Sequence, residues 1–339
     1  MRPAGHSRPE PVPSIAARDG FRPAPWLRNR HLQTVAPLVW STGRDETHFE
    51  ERVVPVTGSS AVAVRVEAPP REARGTLLLV HGVGGSARSG YMLRTARLAR
   101  ERGWATVRMN CRNAGGTERL SRTLFNAGQS DDVGAVLAAC EGWRLPRPYG
   151  VVGFSLGGNI VLRYAGVAGP DSLADAVAAL NPPIDLEACS RALLEPRNRL
   201  YGLFFTYELC AQLRRIRSDR TVPGPPAAWW RIRTVWEFDE LFIAPDAGHP
   251  SAVAYYESAS SSRCLEGVRV PAFVLSAADD PFVPAEIFRS VPGVTAGRIV
   301  LAQPSRGGHL GYWQRGRPRF WAAPAVLDFL DSSLPVRAR

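Results

Sequence analysis

The sequence predicts an α/β protein: a mostly parallel central sheet flanked by helices, carrying a helical insertion. From Gly75 onward, short apolar runs such as TLLLVHG, WATVRMN and YGVVGF alternate with helix-like runs such as YMLRTARLARERG and DDVGAVLAACEGW. Strands apolar on both faces that alternate with helices belong to a parallel sheet with right-handed crossovers. The stretch VVGFSLGGNIVLRY, Val151 to Tyr164, sets a serine between two glycines where such a strand meets such a helix. A chain reversing there forces the apex residue into a strained backbone conformation, and side chains two positions either side would collide with it. Finally, about ninety residues separate the strand ADAVAALNPP from the next clear one, VPAFVLSA, far beyond an ordinary crossover.

In chain order, residues 1 to 20 read as a flexible tail rich in Pro and Arg, and FRPAPWLRNRHLQTVAPLVW as a Pro-broken segment wrapping the domain. FEERVVPV and AVAVRVEA alternate as antiparallel strands at one sheet edge. The strands TLLLVHG, WATVRMN, YGVVGF and ADAVAALNPP then alternate with helices, the first closed by Gly103, the second begun by Asp131 and Asp132, and the third GNIVLRYAG. Next comes the insertion, roughly 185 to 263, holding YELCAQL, a PGPP turn, WW and TVWEFDELF. Its aromatic residues, including Phe204, Phe205, Trp229, Trp230, Trp236 and Phe242, are expected either to form a small core or to line an apolar channel as a lid. After VPAFVLSA follow a helix from AEIFRSV, a last strand GRIVLAQ, the loop SRGGHLGYW and a closing helix APAVLDFLDSSL. Residues 21 to 339 thus read as a single domain with one insertion.

Composition narrows the function. Of 339 residues, 45% are hydrophobic and 22% charged, which suits a globular chain. The net charge is +11, and every one of the 42 basic residues is arginine. The arginines are spread along the chain with a modest excess in RNRLYGLFFTYELCAQLRRIRSDR, so nucleic-acid binding is not expected, while anionic substrates or membrane surfaces stay open. The five cysteines are widely spaced and never form CxxC, as in reduced cytoplasmic proteins. The N-terminus lacks the apolar core of a signal peptide, and no window approaches the roughly 18 apolar residues of a membrane span. At most peripheral membrane contact is expected; oligomeric state is not read from the sequence.

A serine at a strand-to-helix elbow is a poor nucleophile until a base removes its proton, and the base needs a third group to fix its tautomer. In a parallel sheet those partners must come from loops after later strands. VPAFVLSA ends in Ala277, Ala278, Asp279, Asp280 and Pro281, and GRIVLAQ leads to His309. The order Ser155, Asp280, His309 is that of the α/β-hydrolases. Asp279 competes with Asp280; Asp280 is preferred because DPFVP resembles the acid loop of that fold. The negative charge developing on a substrate carbonyl needs two N–H donors, expected from Leu156 at the elbow and Val83 in HGVGG. His81 precedes Gly82 in that turn and is read as structural. The remaining histidines, His6, His31, His48 and His249, show no HxxxH or HxH spacing, so no metal is expected. HGVGG lacks both the GK[ST] ending and GxGxxG, so no nucleotide cofactor is implied.

Taken together, RNRHLQT, NCRNAGG with FNAG, GFSLGGN, WEFDELFIAP, AADDPFVP and GGHLGYW resemble the YheT-like branch of the α/β-hydrolases, related to mammalian abhydrolase-domain proteins 1, 2 and 3. The likeness runs from about Phe21 to the last helix. It implies a cofactor-free serine hydrolase acting on carboxylic esters, in some relatives acylglycerols or phospholipids. Mammalian members carry an N-terminal membrane anchor of which this chain shows no apolar counterpart, and CRNAGG departs from the NFRGCSG form of relatives. The rival expectation is a catalytically silent binding or scaffolding protein on the same fold.

Overall fold

The computed structural model describes residues 20–39, 48–67, 72–217, 222, 232–291, 294 and 297–334. The tail before Gly20, His6, the PGPP turn, Trp229 and Trp230 lie outside these residues.

Among the described residues, eight strands form one sheet in the order β1-β2-β4-β3-β5-β6-β7-β8. β1 (Phe49–Val56) and β2 (Ser60–Glu67) are antiparallel at the edge, as their alternating sequences require, and β2 runs antiparallel to β4 (Trp104–Asn110). β3 (Gly75–Val80), β4, β5 (Tyr149–Phe154), β6 (Ala176–Leu180), β7 (Ala272–Leu275) and β8 (Ile299–Ala302) are mutually parallel. The central strands β3, β5 and β6 are buried at every position, so their side chains sort onto two cores. Leu78, Val80 and Val151 pack with α3 (Asp131–Gly142) and α4 (Leu156–Ala168) on one face. Leu77, Leu79, Val152 and Phe273 pack with α2 (Gly90–Glu101) and α10 (Ala322–Ser333) on the other.

The register brings the strand ends together. Val80 pairs with Gly153, Gly153 with Ala179, and Leu180 with both Phe154 and Leu275. His81, Ser155 and Asn181 therefore leave the sheet along one edge, beside the loops that carry Asp280 and His309.

Two elements differ from the sequence reading. The segment FRPAPWLRNRHLQTVAPLVW holds a 3-10 turn (Pro25–Leu27) and a helix, α1 (Arg30–Val39), that is not broken at Pro37 but continues through it. Pro37 removes one helical donor, and the carbonyl it would have served, that of Gln33, lies against Gly311 instead. AEIFRSV forms only a short 3-10 turn, Ala285–Phe288, which Pro284 precedes in extended conformation.

The insertion is helical. It comprises α5 (Leu186–Leu194), α6 (Arg199–Arg217), α7 (Val235–Phe238), a π-helical turn (Asp239–Ile243), α8 (Ala244–Asp246) and α9 (Ala252–Ala259). Asp185 caps α5, a Thr234–Glu237 capping box opens α7, and Ser251 caps α9. Leu213, Ile216, Phe238 and Phe242 form a core together with Leu124 and Ala127 from the loop before α3. Of the aromatic residues singled out above, Phe242 is buried there, Trp236 packs against it partly buried, and Phe204 is half exposed.

Candidate active site

Ser155 sits between β5 and α4 with φ +52° and ψ −123°, the strained conformation expected of an elbow. The two glycines are sterically required: a Cβ on Gly153 would run into the Gly157 carbonyl, and one on Gly157 into the carbonyls of Val80 and His81. Ser155 Oγ lies 2.9 Å from His309 Nε2, and His309 Nδ1 lies 2.7 Å from Asp280 Oδ2. Asp280 and His309 are buried, and the Phe282 ring packs on the imidazole with centroids 4.2 Å apart. The three residues predicted from sequence order are thus joined in one hydrogen-bonded chain.

Asp280 is held from several sides. Its Oδ1 accepts the backbone N–H groups of Phe282 and Val283 at 3.1 and 3.0 Å, and its Oδ2 accepts Asn181 Nδ2–H at 2.7 Å beside the imidazole. Asp279 faces elsewhere: its Oδ1 accepts the Gly308 N–H at 2.9 Å, one residue before His309. Burial pushes the Asp279 carboxyl above its usual value.

Three positioning residues escape sequence reasoning. Asn181, fully buried with φ +46°, donates to Asp280 and to the Gly308 carbonyl and accepts the Leu310 N–H. Thr34 in α1 accepts the His309 N–H at 3.0 Å, and Gln33 bonds both the N–H and the carbonyl of Trp313. The only signal was RNRHLQT as part of a resemblance; nothing local marks a helical threonine as a clamp on a loop 275 residues away.

His81 has the structural place expected of it. Its Nε2 accepts the Cys111 N–H at 3.0 Å, so Nδ1 carries the proton and donates to the Gly82 carbonyl at 2.8 Å. Burial pushes its pKa down to about 4, keeping the ring neutral. The turn it braces passes so close to the elbow that a Cβ on Gly82 would lie 2.9 Å from Ser155 Cβ. Val83 and Leu156 both border the cavity that Ser155 opens into, and neither backbone N–H donates to another described residue. Among the described residues no three His, Cys, Asp or Glu side chains gather as metal ligands.

That cavity is partly open to solvent. Its walls come from both halves of the molecule: Phe125, Phe282 and Val283 from the sheet's loops, and Leu186, Phe205 and Leu209 from the insertion. The insertion therefore forms a core and lines a channel at once.

Residues 75–314 match the family model described as "alpha/beta hydrolase fold". The YheT protein of Escherichia coli (strain K12), provisionally named an esterase, is 26% identical over 94% of this chain and 95% of its own length. Phospholipase ABHD3 of Bos taurus is 28% identical over 73% of this chain, which spans 60% of that relative. Among solved structures, the Pyrococcus furiosus esterase Pf2001 superposes with a TM-score of 0.57 at 15% identity, covering 86% of this chain and 92% of that one. The elbow, the strand order and the family match converge: this chain belongs to the α/β-hydrolase fold family, in its YheT-like branch.

Proposed function

We propose that the chain is a serine esterase that cleaves carboxylic esters through an acyl-enzyme. The observation that carries this reading is the continuous hydrogen-bonded chain from Ser155 through His309 to Asp280, set at an apolar cavity. The esterase and phospholipase names of the relatives support the same reaction class. Ser155 Oγ attacks the ester carbonyl while His309 Nε2 takes its proton, and Asp280 stabilises the resulting imidazolium. The N–H groups of Val83 and Leu156 receive the oxyanion, each worth about 3 kcal/mol of barrier in comparable sites. His309 then protonates the departing alcohol. Water, deprotonated by the same nitrogen, attacks the acyl-enzyme to release the acid and restore Ser155.

The insertion serves this reading as a lid whose Phe205 and Leu209 help shape the acyl pocket. Its α6 also turns Leu200, Leu203, Phe204 and Tyr207 outward at i, i+3, i+4 and i+7, with Arg199 and Arg214 exposed on the same helix. Such a face supports peripheral contact with anionic lipid, and so esters presented at a lipid surface. The test is turnover of an ester panel: wild type should release product and Ser155→Ala, still folded by circular dichroism, should not. A folded wild type silent on every ester, with an empty acyl-enzyme assay, would make the protein a binder on this fold.

A further inference from the structure

The cavity beside Ser155 contains a carboxyl group that ester hydrolysis by the elbow does not use. Asp239 opens the π-helical turn of the insertion and lines the cavity, together with Ser190 and Tyr256. Single π turns are uncommon and concentrate where a side chain must be aimed at a functional site. Tyr256 Oη–H donates to Asp239 Oδ2 at 2.7 Å, and Ser190 Oγ lies 3.0 Å from the same Tyr256 oxygen.

The direction of these bonds matters. Tyr256 has one proton and gives it to Asp239, so the contact with Ser190 is one in which Ser190 donates. Protons therefore run from Ser190 through Tyr256 to Asp239, and the chain ends in an acceptor. Asp239 Oδ1 receives no hydrogen bond from a described residue, and Asp239 is one of the residues that line the cavity. Burial pushes this carboxyl up to about 7. Both forms are thus accessible near neutrality, and the ionised form can only accept. A buried acceptor beside Leu186, Leu209 and Ile243 is costly unless a ligand completes it.

We propose that Asp239, braced by Tyr256 and Ser190, forms a subsite that recognises a hydroxyl group on the acyl chain, so that the preferred substrates are esters of hydroxylated acids. This rests on the esterase reading and names its substrate class. A neutral hydroxyl reaches the carboxylate without the desolvation cost that burying an ammonium group carries.

The test compares ethyl octanoate with its mono-hydroxylated isomers, the hydroxyl placed at successive carbons, at mildly alkaline pH. At least one isomer should exceed octanoate in kcat/KM by about tenfold or more, since an unpaired buried acceptor discriminates strongly against a substrate lacking the donor. Asp239→Leu should abolish that preference, read as the ratio of kcat/KM for the hydroxylated isomer to that for octanoate within the same variant, and Asp239→Asn, whose amide oxygen still accepts, should keep part of it. Tyr256→Phe, which leaves the carboxyl but removes its brace, should weaken the preference in KM more than in kcat. Calorimetric binding of the free acids to Ser155→Ala reads the same preference without turnover, so loss of the esterase reading and loss of the subsite are separable. Equal handling of octanoate and every hydroxylated isomer, preference for an amino-substituted chain, or a hydroxyl preference unchanged in Asp239→Leu would overturn the proposal.

Discussion

Four donors converge on Asp280, two backbone N–H groups, the Asn181 amide and the imidazole N–H, whereas Asp279 meets only the backbone before His309. Asp280→Asn should therefore lower turnover on the order of 10⁴-fold with the fold retained, because an amide there favours the wrong imidazole tautomer. Asp279→Asn should cost less than tenfold by the same assay, an expectation in line with a single hydrogen bond of about 1 kcal/mol. Asn181→Leu removes a donor to a charged group, worth about 1.5–3 kcal/mol, so kcat should fall roughly ten- to hundredfold with KM little changed. Equal losses at 279 and 280 in steady-state kinetics would contradict this division. Ser155, Asp280 and His309 are legible in the sequence because each follows a recognisable strand in a required order. Asn181 and Thr34 are not, because an asparagine after a strand and a threonine in a helix are ordinary residues until the fold brings distant loops against them.

At the scale of elements, strands and their order are readable because apolar runs buried on both faces leave few alternatives, and the elbow because glycine alone fits its contacts. What the sequence conceals is how proline is accommodated. Pro37 continues a helix since the orphaned Gln33 carbonyl packs on Gly311, a contact made only in the folded molecule. After the extended Pro284, what reads as a helix is only the short turn Ala285–Phe288. In the insertion, the cavity walls supplied by Phe205 and Leu209 predict that specificity constants climb from acetyl toward medium acyl esters and then fall, each buried methylene adding up to about 0.8 kcal/mol. A steady decline from acetyl onward would assign these side chains to core packing alone. The π turn makes a separate prediction about stability. Burial raises the Asp239 carboxyl from 3.8 to about 7, so the native state keeps a proton that the unfolded chain releases. Native stability is therefore lost as pH rises through that interval, and the penalty is complete above it. The Tm of Asp239→Asn relative to wild type should rise from mildly acidic to mildly alkaline pH; a constant difference would contradict the buried titration.

For the whole molecule, one sheet edge gathers residues scattered from Thr34 to His309, while a helical insertion closes over them and exposes an apolar stripe on α6. Among the described residues no helix is long and apolar enough to cross a membrane. With a net charge of +11, the chain should bind anionic vesicles in a salt-sensitive manner, and a Leu200→Asp, Phe204→Asp double variant should bind less without losing turnover of soluble esters. Sedimentation with vesicles measures this, and equal pelleting of both proteins would count against the stripe. The account as a whole stands on Ser155 being the nucleophile. Intact-protein mass spectrometry after treatment with a fluorophosphonate tests it most directly: wild type should gain one phosphonyl group per chain, mapped to the peptide containing Ser155, and Ser155→Ala none. Stoichiometric labelling that persists in Ser155→Ala, or a folded wild type that gains no mass, would contradict it.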